Sequence, residues 1–179
     1  LSLVTPVPPE ISVVVPTWNR LDVLPEVLAA LDGQIAAPPF DVIVVDDGST
    51  DGTAEWLVRH LASRPSTAPP LSVIRQENRG PAAARNAGVA AARGERVAFL
   101  GDDTVPDLGW MAAHRDAHRR HGDDPLLAVI GYTGWHPRLR LTPFLRYINE
   151  YGLQFGYALI QDPEHVPFNF FYTSNLSLS

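Results

Sequence analysis

Two adjacent carboxylates, Asp102 and Asp103, follow a short apolar run that begins at Arg96 and ends at Leu100. Such a run is typical of a strand buried on both faces, which occurs in parallel sheets covered by helices. Ligands of these sheets bind just beyond the carboxyl ends of the strands. Adjacent carboxylates repel each other unless a cation offsets their charge, and hard oxygen ligands suit Mg²⁺ or Mn²⁺. The pair therefore predicts a divalent metal site at one edge of a sheet.

Polar side chains follow two more of the predicted strands. The loop 17–20, Thr-Trp-Asn-Arg, comes after the β-branched run 11–16, and Asp46 and Asp47 come after the run 40–45. Helical crossovers place the carboxyl ends of parallel strands at the same edge of a sheet. We therefore expect both clusters to lie beside the carboxylate pair.

An alanine-rich helix, predicted over residues 82–92, adds a site for anions. Gly80 and Pro81 precede it, and proline is favoured in the first turn of a helix. The helix N-terminus points to the same sheet edge and binds anions through free N–H groups and the helix dipole. Arg85 lies one turn further along and can face the same ligand. Together with the aromatic Trp18, these groups suit a nucleoside diphosphate and its metal ion.

Strand and helix patterns alternate along the chain, which is typical of an α/β fold with a mainly parallel sheet flanked by helices. Predicted strands cover residues 11–16, 40–45, 71–75, 96–100 and 126–132, and residues 168–179 are expected to be extended. Predicted helices cover residues 21–32, 53–62, 82–92, 107–121 and 142–155. In the second helix, Trp56, Leu57 and Leu61 are expected to face the core.

The composition excludes several kinds of site. The chain has 179 residues, no cysteine and no lysine, and its formal net charge is −6. Without cysteine there is no disulfide, thiolate metal site or cysteine nucleophile. Without lysine there is no Schiff-base, P-loop or receiver-domain lysine, so anionic ligands must be held by arginine, backbone N–H groups or metal. The negative charge argues against a nucleic-acid partner.

Two other functional classes need patterns that the chain does not have. An aspartate-nucleophile phosphatase needs two aspartates separated by one residue, but Asp46 and Asp47 are adjacent. A dinucleotide-binding fold needs a Gly-x-Gly-x-x-Gly turn after its first strand, where this chain has the loop 17–20. Both classes are therefore disfavoured.

No apolar run approaches the length of a membrane span, and no signal-peptide pattern opens the chain. We expect a cytoplasmic location, with attachment to the inner face of a membrane left open. The first residue is Leu1 instead of methionine, and Ser179 lies within an alternating apolar stretch. We therefore expect a piece of a longer protein, truncated at its C-terminal end.

Four segments carry a recognisable pattern: VVVPTWNR (13–20), VVDDGSTD (44–51), NRGPAAARNAG (78–88) and FLGDDTVP (99–106). In this order and on these predicted strands, they resemble the nucleotide-binding half of family 2 glycosyltransferases with the GT-A fold. The resemblance covers residues 10–110. Residues 171–179 are similar to the extended segment that precedes the acceptor-binding region in this family. The resemblance implies a single but incomplete GT-A domain over residues 1–179.

The resemblance also implies roles for the matched residues. Asp103 would ligate the divalent metal, Mg²⁺ or Mn²⁺, while Asp102 would face the ribose or a metal-bound water. Asp47 would accept a hydrogen bond from a ring N–H of the base. The nucleotide-binding residues that it implies are Pro16, Thr17, Trp18, Arg20, Asp47, Gly80, Pro81, Arg85 and Asp102. Of these, residues 16–18 would wall the base and ribose, and residues 80, 81 and 85 would lie near the base or diphosphate.

The reaction implied by the resemblance is an inverting, metal-dependent sugar transfer. An acceptor hydroxyl, on a sugar, lipid or protein that the sequence does not identify, would attack the anomeric carbon of a nucleotide sugar. UDP is the nucleotide that the family uses most. Gly101 stands where the commonest family pattern has a third acid. The general base of the family lies further downstream, so no catalytic base is assigned. The alternative is a nucleotide-sugar-binding or interaction module without turnover.

Several side chains have a structural interpretation beside the functional one. Asp46 and Asp51 suit a turn and a helix start, and we interpret both as structural. Trp18 fits the core as well as a ligand wall, and Arg85 fits a helix surface as well as a binding site. Three histidines recur along one predicted helix, and a solvated face is favoured there over a zinc site. They are His114, His118 and His121.

Overall fold

Six strands form one mixed sheet in the computed structural model, which describes residues 7–179. The strands are β1 (Ile11–Thr17), β2 (Phe40–Asp46), β3 (Leu71–Arg75), β4 (Arg96–Leu100), β5 (Ala128–Ile130) and β6 (Asn175–Leu178). Their order across the sheet is β3-β2-β1-β4-β6-β5. The first four strands pair in parallel, whereas β6 lies antiparallel between β4 and β5. The expected α/β fold with a mainly parallel sheet is confirmed.

Helices connect the strands of the parallel part. They are α1 (Leu24–Asp32), α2 (Thr53–Ser63), α3 (Pro81–Ala91) and α4 (Trp110–Arg120), and α5 (Pro143–Glu150) follows β5. The last predicted helix was too long, because Gly152 adopts a left-handed φ of 67° just beyond α5. The segment expected to be extended over 168–179 contains a 3₁₀ turn at Phe168–Phe170 and is a strand only at β6.

Every residue of β1 and β2 is buried, because helices cover both faces of these central strands. On one face, Ile11, Val13 and Val15 of β1 pack into a core with α1, α2 and α4. Of the α2 residues expected there, Leu57 is fully buried, whereas Leu61 is 37% exposed. The prediction for Leu61 is therefore wrong.

Helix α3 covers the opposite face and lies unusually close to it. A Cβ atom added at Gly88 would lie 2.3 Å from Cγ1 of Val14, which is well inside van der Waals contact. Ala84, one turn earlier, is also fully buried. The small side chains of α3 thus let its N-terminus approach the carboxyl ends of β1 and β2.

Two of the three histidines, His114 and His118, do not lie on the solvated face that the sequence favoured, whereas His121, just beyond α4, is exposed as expected. His114 is 2% exposed and His118 is fully buried. Nδ1 of His114 and Nε2 of His118 lie 2.7 and 2.8 Å from Oγ of Ser177, and Nε2 of His114 lies 3.0 Å from Oδ1 of Asn175. The expectation fails because the polar side chains of β6 bind these histidines inside the protein. Only the long-range pairing of β6 with the sheet places those side chains against α4. Within residues 7–179, no group of three or more His, Cys, Asp or Glu residues is arranged to hold a metal ion.

The described helices are short, the longest having 11 residues. In the part of the chain that the structure describes, no helix has the length and apolar character needed to cross a membrane.

Candidate functional site

A cleft of about 790 Å³ opens at the carboxyl edge of the parallel strands. All ten residues to which the sequence assigned a nucleotide or metal role line this cleft. They are Pro16, Thr17, Trp18, Arg20, Asp47, Gly80, Pro81, Arg85, Asp102 and Asp103. The ends of β1, β2 and β4 and the start of α3 therefore lie at one edge of the sheet, as expected, because each contributes residues to the same cavity.

Asp47 fixes residues 79 and 80, which lead into α3 and are called the α3 entrance below. Its Oδ1 accepts hydrogen bonds from the backbone N–H of Arg79 at 2.9 Å and from Nε2 of Gln76 at 2.7 Å, and its Oδ2 accepts one from the N–H of Gly80 at 2.8 Å. Burial disfavours the charged carboxylate, but these bonds outweigh it and hold the pKa of Asp47 below its ordinary value. Asp47 therefore remains ionised, and Oδ2 keeps a lone pair that can accept a further hydrogen bond.

Arg20 faces both acids of the carboxylate pair. Its Nε lies 3.9 Å from Oδ1 of Asp102, and its Nη2 lies 3.8 Å from Oδ2 of Asp103. Burial raises the pKa of Asp102, and the neighbouring charge of Asp103 raises it further, while the Thr17 hydroxyl and the Arg20 guanidinium oppose the rise. Burial and the neighbouring acid thus disfavour the charged form of Asp102, and a further cation near the pair would offset this.

Thr17 and Trp18 line the cleft from the end of β1. Trp18 is 52% exposed, so it is not part of the core. The Thr17 hydroxyl makes no hydrogen bond to any described residue, although it lies close enough to Asp102 to lower the pKa of that carboxyl. An exposed indole beside a strand end provides a flat apolar surface on which a planar ring can stack.

Arg85 lies one turn into α3 and faces the cleft rather than open solvent. Its buried Nε has no hydrogen-bond partner among the described residues. Burial lowers the pKa of Arg85, whereas the charge of Asp102 opposes this change. Because the ordinary pKa of arginine lies far above neutral pH, the guanidinium still carries its charge and supplies donors for an anion.

The loop that carries Trp18 and Arg20 is clamped to the turn after β2. Asn19 has a φ of 54°, and its Oδ1 accepts a hydrogen bond from the N–H of Thr50 at 2.8 Å. The N–H of Asn19 donates to Oγ of Ser49 at 2.9 Å. On the other side of Arg20, the N–H of Leu21 donates to Oδ2 of Asp51 at 3.1 Å. These bonds fix the backbone of the loop on both sides of Arg20.

Asp46 and Asp51 have the structural roles expected of them. Oδ1 of Asp46 accepts a hydrogen bond from the N–H of Ser49 at 2.9 Å inside the turn. Oδ1 of Asp51 accepts bonds from the N–H and the hydroxyl of Thr53, at 3.0 and 2.6 Å, at the start of α2. Neither side chain is needed to explain the cleft.

Sequence reasoning did not assign several residues that line the cleft. Those from the recognised segments are Gly48, Thr50, Asn78, Ala84 and Gly101. Ser174 is different, because it enters the cleft from the segment before β6, where its carbonyl accepts a hydrogen bond from the N–H of Gly101 at 2.9 Å. The resemblance of residues 171–179 to a family segment gave Ser174 no role in the cleft, because only the antiparallel return of β6 brings it there.

The oxygen atoms of the two acids fit a divalent metal ion that is shared with a phosphorylated ligand. Asp102 and Asp103 supply hard oxygen atoms, and no third His, Cys, Asp or Glu completes a cage in residues 7–179. Mg²⁺ and Mn²⁺ are commonly bound by one or two carboxylates, with water and substrate phosphates filling the other positions. The α3 N-terminus and Arg85 lie in the same cleft and can hold the phosphates of such a ligand.

The family model "Glycosyl transferase family 2" matches residues 12–173 of the chain. The chain is 36% identical over 134 residues to validoxylamine A glucosyltransferase from Streptomyces hygroscopicus subsp. limoneus, which covers 73% of this chain and 28% of that protein. The chain therefore spans roughly a quarter of this relative's length.

Two solved structures share the fold. S. aureus TarS in complex with UDP-GlcNAc has a TM-score of 0.58 and 28% identity, and the match covers 74% of this chain and 37% of that one. The mannosyltransferase PcManGT from Pyrobaculum calidifontis, in complex with GDP-Man and Mn²⁺, has a TM-score of 0.58 and 30% identity over 70% of this chain and 36% of that one. These likenesses confirm the glycosyltransferase fold expected from the sequence.

Proposed function

Because the chain belongs to glycosyl transferase family 2, we propose that it holds the nucleotide-sugar donor of an inverting, metal-dependent glycosyltransferase. The observation that carries this proposal is the convergence of an acid pair, an anion-binding helix start and an anchored aspartate on one cleft. The donor base would lie against Trp18 and Asp47. The diphosphate would lie between the start of α3 and the pair Asp102–Asp103.

Each of these groups has a defined task in the proposed reaction. Oδ2 of Asp47 accepts a hydrogen bond from a ring N–H of the base, which orients the nucleotide. The N-terminus of α3 and the Arg85 guanidinium bind the diphosphate oxygens and stabilise the charge that grows on them. Asp103 would hold the divalent ion, which supplies Lewis-acid stabilisation of the leaving diphosphate when bound, and Asp102 would face the ribose or a water bound to that ion.

Sugar transfer with inversion needs the acceptor hydroxyl to attack the anomeric carbon from the face opposite the leaving diphosphate. The new bond forms between the acceptor oxygen and the anomeric carbon, the bond to the diphosphate oxygen breaks, and the acceptor proton passes to a base. We assign no base here, because the acids that line the cleft are Asp47, Asp102 and Asp103, which all serve the donor. The acceptor, whether a sugar, a lipid or a protein, is left unassigned.

UDP is the nucleotide that we propose for the donor. One structural neighbour was solved with UDP-GlcNAc and another with GDP-Man and Mn²⁺. The two differ in base and sugar, so the choice of UDP rests on its being the nucleotide that the resembled family uses most. The metal is Mg²⁺ or Mn²⁺, in keeping with the oxygen ligands.

Isothermal titration calorimetry with UDP and GDP, each with and without Mn²⁺, tests the donor site. We expect UDP to bind in the presence of Mn²⁺ and to bind at least tenfold more weakly without it, because the ion offsets the charge of the acid pair and the diphosphate. An absence of metal-dependent binding to either nucleotide would refute the proposal. Tighter binding of GDP than of UDP would change the assigned base and leave the metal-dependent site in place.

A second candidate function is a nucleotide-sugar-binding module that does not turn its ligand over. The three acids of the cleft favour this function, because each already has a partner in the protein. Asp47 binds the α3 entrance, and Asp102 and Asp103 face Arg20. A coupled assay that measures the release of UDP from UDP-glucose and UDP-GlcNAc separates the two functions. Binding without any release of UDP over hours supports the module, and steady release supports a transferase.

A further inference from the structure

We infer that Arg20 is a displaceable counter-ion of the acid pair. It partly offsets the charge of Asp102 and Asp103 until a divalent metal takes over that role, and its guanidinium then moves to the donor diphosphate. The inference rests on the proposed donor site. Arg20 would then lower the affinity for the metal alone and raise the affinity for the donor once the metal is bound. A residue that simply adds to the affinity would raise both.

The contact between Arg20 and the acid pair is loose. Distances of 3.8 and 3.9 Å place the guanidinium within Coulomb range of both acids but beyond hydrogen-bonding distance. The Arg20 side chain is 48% exposed and that of Asp103 is 56% exposed, so water screens the attraction between these two, whereas Asp102, which is 16% exposed, is screened less. Such an ion pair is weak enough to be exchanged for a doubly charged ion. By contrast, the carboxylate of Asp47 is held by three short hydrogen bonds.

The backbone beneath Arg20 is fixed while its side chain is not. Asn19 is tied to Ser49 and Thr50, and Leu21 is tied to Asp51. The carbonyl of Arg20 itself accepts hydrogen bonds from the N–H groups of Val23 and Leu24, at 3.2 and 2.9 Å, where the chain enters α1. A long, flexible side chain on such an anchored base can change its partner without any movement of the loop.

The guanidinium and a metal ion compete for the same oxygen atoms. Arg20 faces Oδ2 of Asp103, the proposed metal ligand, and Oδ1 of Asp102, which would lie beside the ion or its bound water. Two cations cannot share these oxygens at close range without mutual repulsion, so binding of the ion expels the guanidinium. Arg85 also lies near Asp102, which further disfavours keeping all the positive charges together.

The diphosphate is the partner that suits the released side chain. Arginine presents its donors in a planar fork that matches two phosphate oxygens, and such charge-assisted pairs are stronger than neutral hydrogen bonds. Arg20 lines the same cleft as the start of α3 and Arg85, where the diphosphate would lie. Removal of Arg20 should therefore strengthen metal binding alone and weaken donor binding in the presence of the metal.

Titration with Mn²⁺ alone, followed by electron paramagnetic resonance of the free ion, tests the first half of the inference. Arg20→Gln should bind Mn²⁺ about threefold to tenfold more tightly than the wild type, as expected for the loss of two weak ion pairs. Arg20→Lys keeps the competing charge and should resemble the wild type. Arg59→Gln, which removes one charge from an exposed position on α2, is the matched control and should also leave the affinity unchanged.

Calorimetry with UDP at saturating Mn²⁺ tests the second half. Arg20→Gln should bind UDP roughly tenfold more weakly, and Arg20→Lys should be intermediate because it lacks the fork. Circular dichroism melting of each variant checks that it is folded.

Three outcomes would overturn the inference: unchanged or weaker Mn²⁺ binding by Arg20→Gln, undiminished UDP binding by it, or no Mn²⁺ binding by any folded variant. A wild type that binds Mn²⁺ but no nucleotide would instead defeat the proposed function. In that case the competition between Arg20 and the ion would still be measured by the first titration.

Discussion

Asp47 binds Gly80, the residue just before α3, because its Oδ2 accepts a hydrogen bond of 2.8 Å from the N–H of Gly80. Gly80 has a φ of 86°, a conformation that glycine adopts without strain. A buried carboxylate at the end of β2 thus sets the position of a helix start more than thirty residues later in the chain. The proposed base contact and the proposed diphosphate contact are linked through this one side chain.

Replacement of Asp47 by Asn should loosen this entrance. The amide has about the same shape but no charge, and one of its two polar ends can only donate, so at least one bond to residues 79 and 80 is lost. We expect a loss of about 2 kcal/mol in the free energy of unfolding and a fall of at least tenfold in UDP affinity. Urea unfolding, calorimetry and hydrogen exchange of residues 78–82 measure these effects. Asp22→Asn, at an exposed position, is the charge-matched control.

Asp103→Asn should remove the metal dependence of donor binding. Asp103 is the more exposed acid of the pair, with a side chain 56% exposed against 16% for Asp102, so it is free to ligate an ion from the cleft. We expect UDP affinity in Mn²⁺ to fall to the value measured without metal, because an amide oxygen is a weaker ligand than a carboxylate. The same titrations in EDTA provide the baseline. An unaltered ratio between the two conditions would show that Asp103 is not a metal ligand.

Acid should destabilise the fold through His114. Burial lowers the pKa of His114 to about 4, so the imidazole stays neutral in the folded state at pH values where the unfolded chain is protonated. The unfolded state then binds more protons, and stability is fully present above about pH 6.5 and is lost as the pH falls toward 4. This group alone should cost about 2 kcal/mol between pH 7 and pH 5.

The measurement is urea unfolding of the wild type and of His114→Asn at pH 7 and pH 5. The variant should be less stable at pH 7, because the bonds to Ser177 and Asn175 change, but its stability should depend less on pH. A pH dependence equal to that of the wild type would contradict the assignment to His114. His118, whose pKa is also lowered by burial, is expected to account for part of the remaining dependence.

Gly88→Ala should destabilise the protein although alanine favours helices. The added Cβ would meet Cγ1 of Val14 at 2.3 Å, and overpacking of this kind costs about 1–3 kcal/mol, more than the gain of about 1 kcal/mol in helix propensity. The double variant with Val14→Ala removes the contact at 2.3 Å and leaves Cβ of residue 14 at 3.3 Å from the added Cβ. The combined loss should therefore be smaller than the sum of the two single losses by about 1 kcal/mol. Strict additivity in thermal unfolding would show that α3 moves away without strain.

The sequence was sufficient to predict the parallel strands and their common edge. Apolar runs buried on both faces mark β1, β2 and β4, and right-handed helical crossovers force their carboxyl ends to the same side. For that reason, residues as distant as Asp47 and Asp103 were expected together and do line one cleft. The four segments that resemble family 2 glycosyltransferases all lie at this edge, which is why local patterns carried the family assignment.

Only the tertiary structure decided which side chains pair across that edge. Ser174 reaches the cleft, and His114 and His118 are buried, because β6 returns antiparallel beside β4 and carries Asn175 and Ser177 under α4. The pairing of Arg20 with Asp102 and Asp103 joins positions more than eighty residues apart. Periodicity and turn chemistry describe neighbours along the chain, whereas such pairs depend on strand order and side-chain rotamers, which the packing of the whole chain sets.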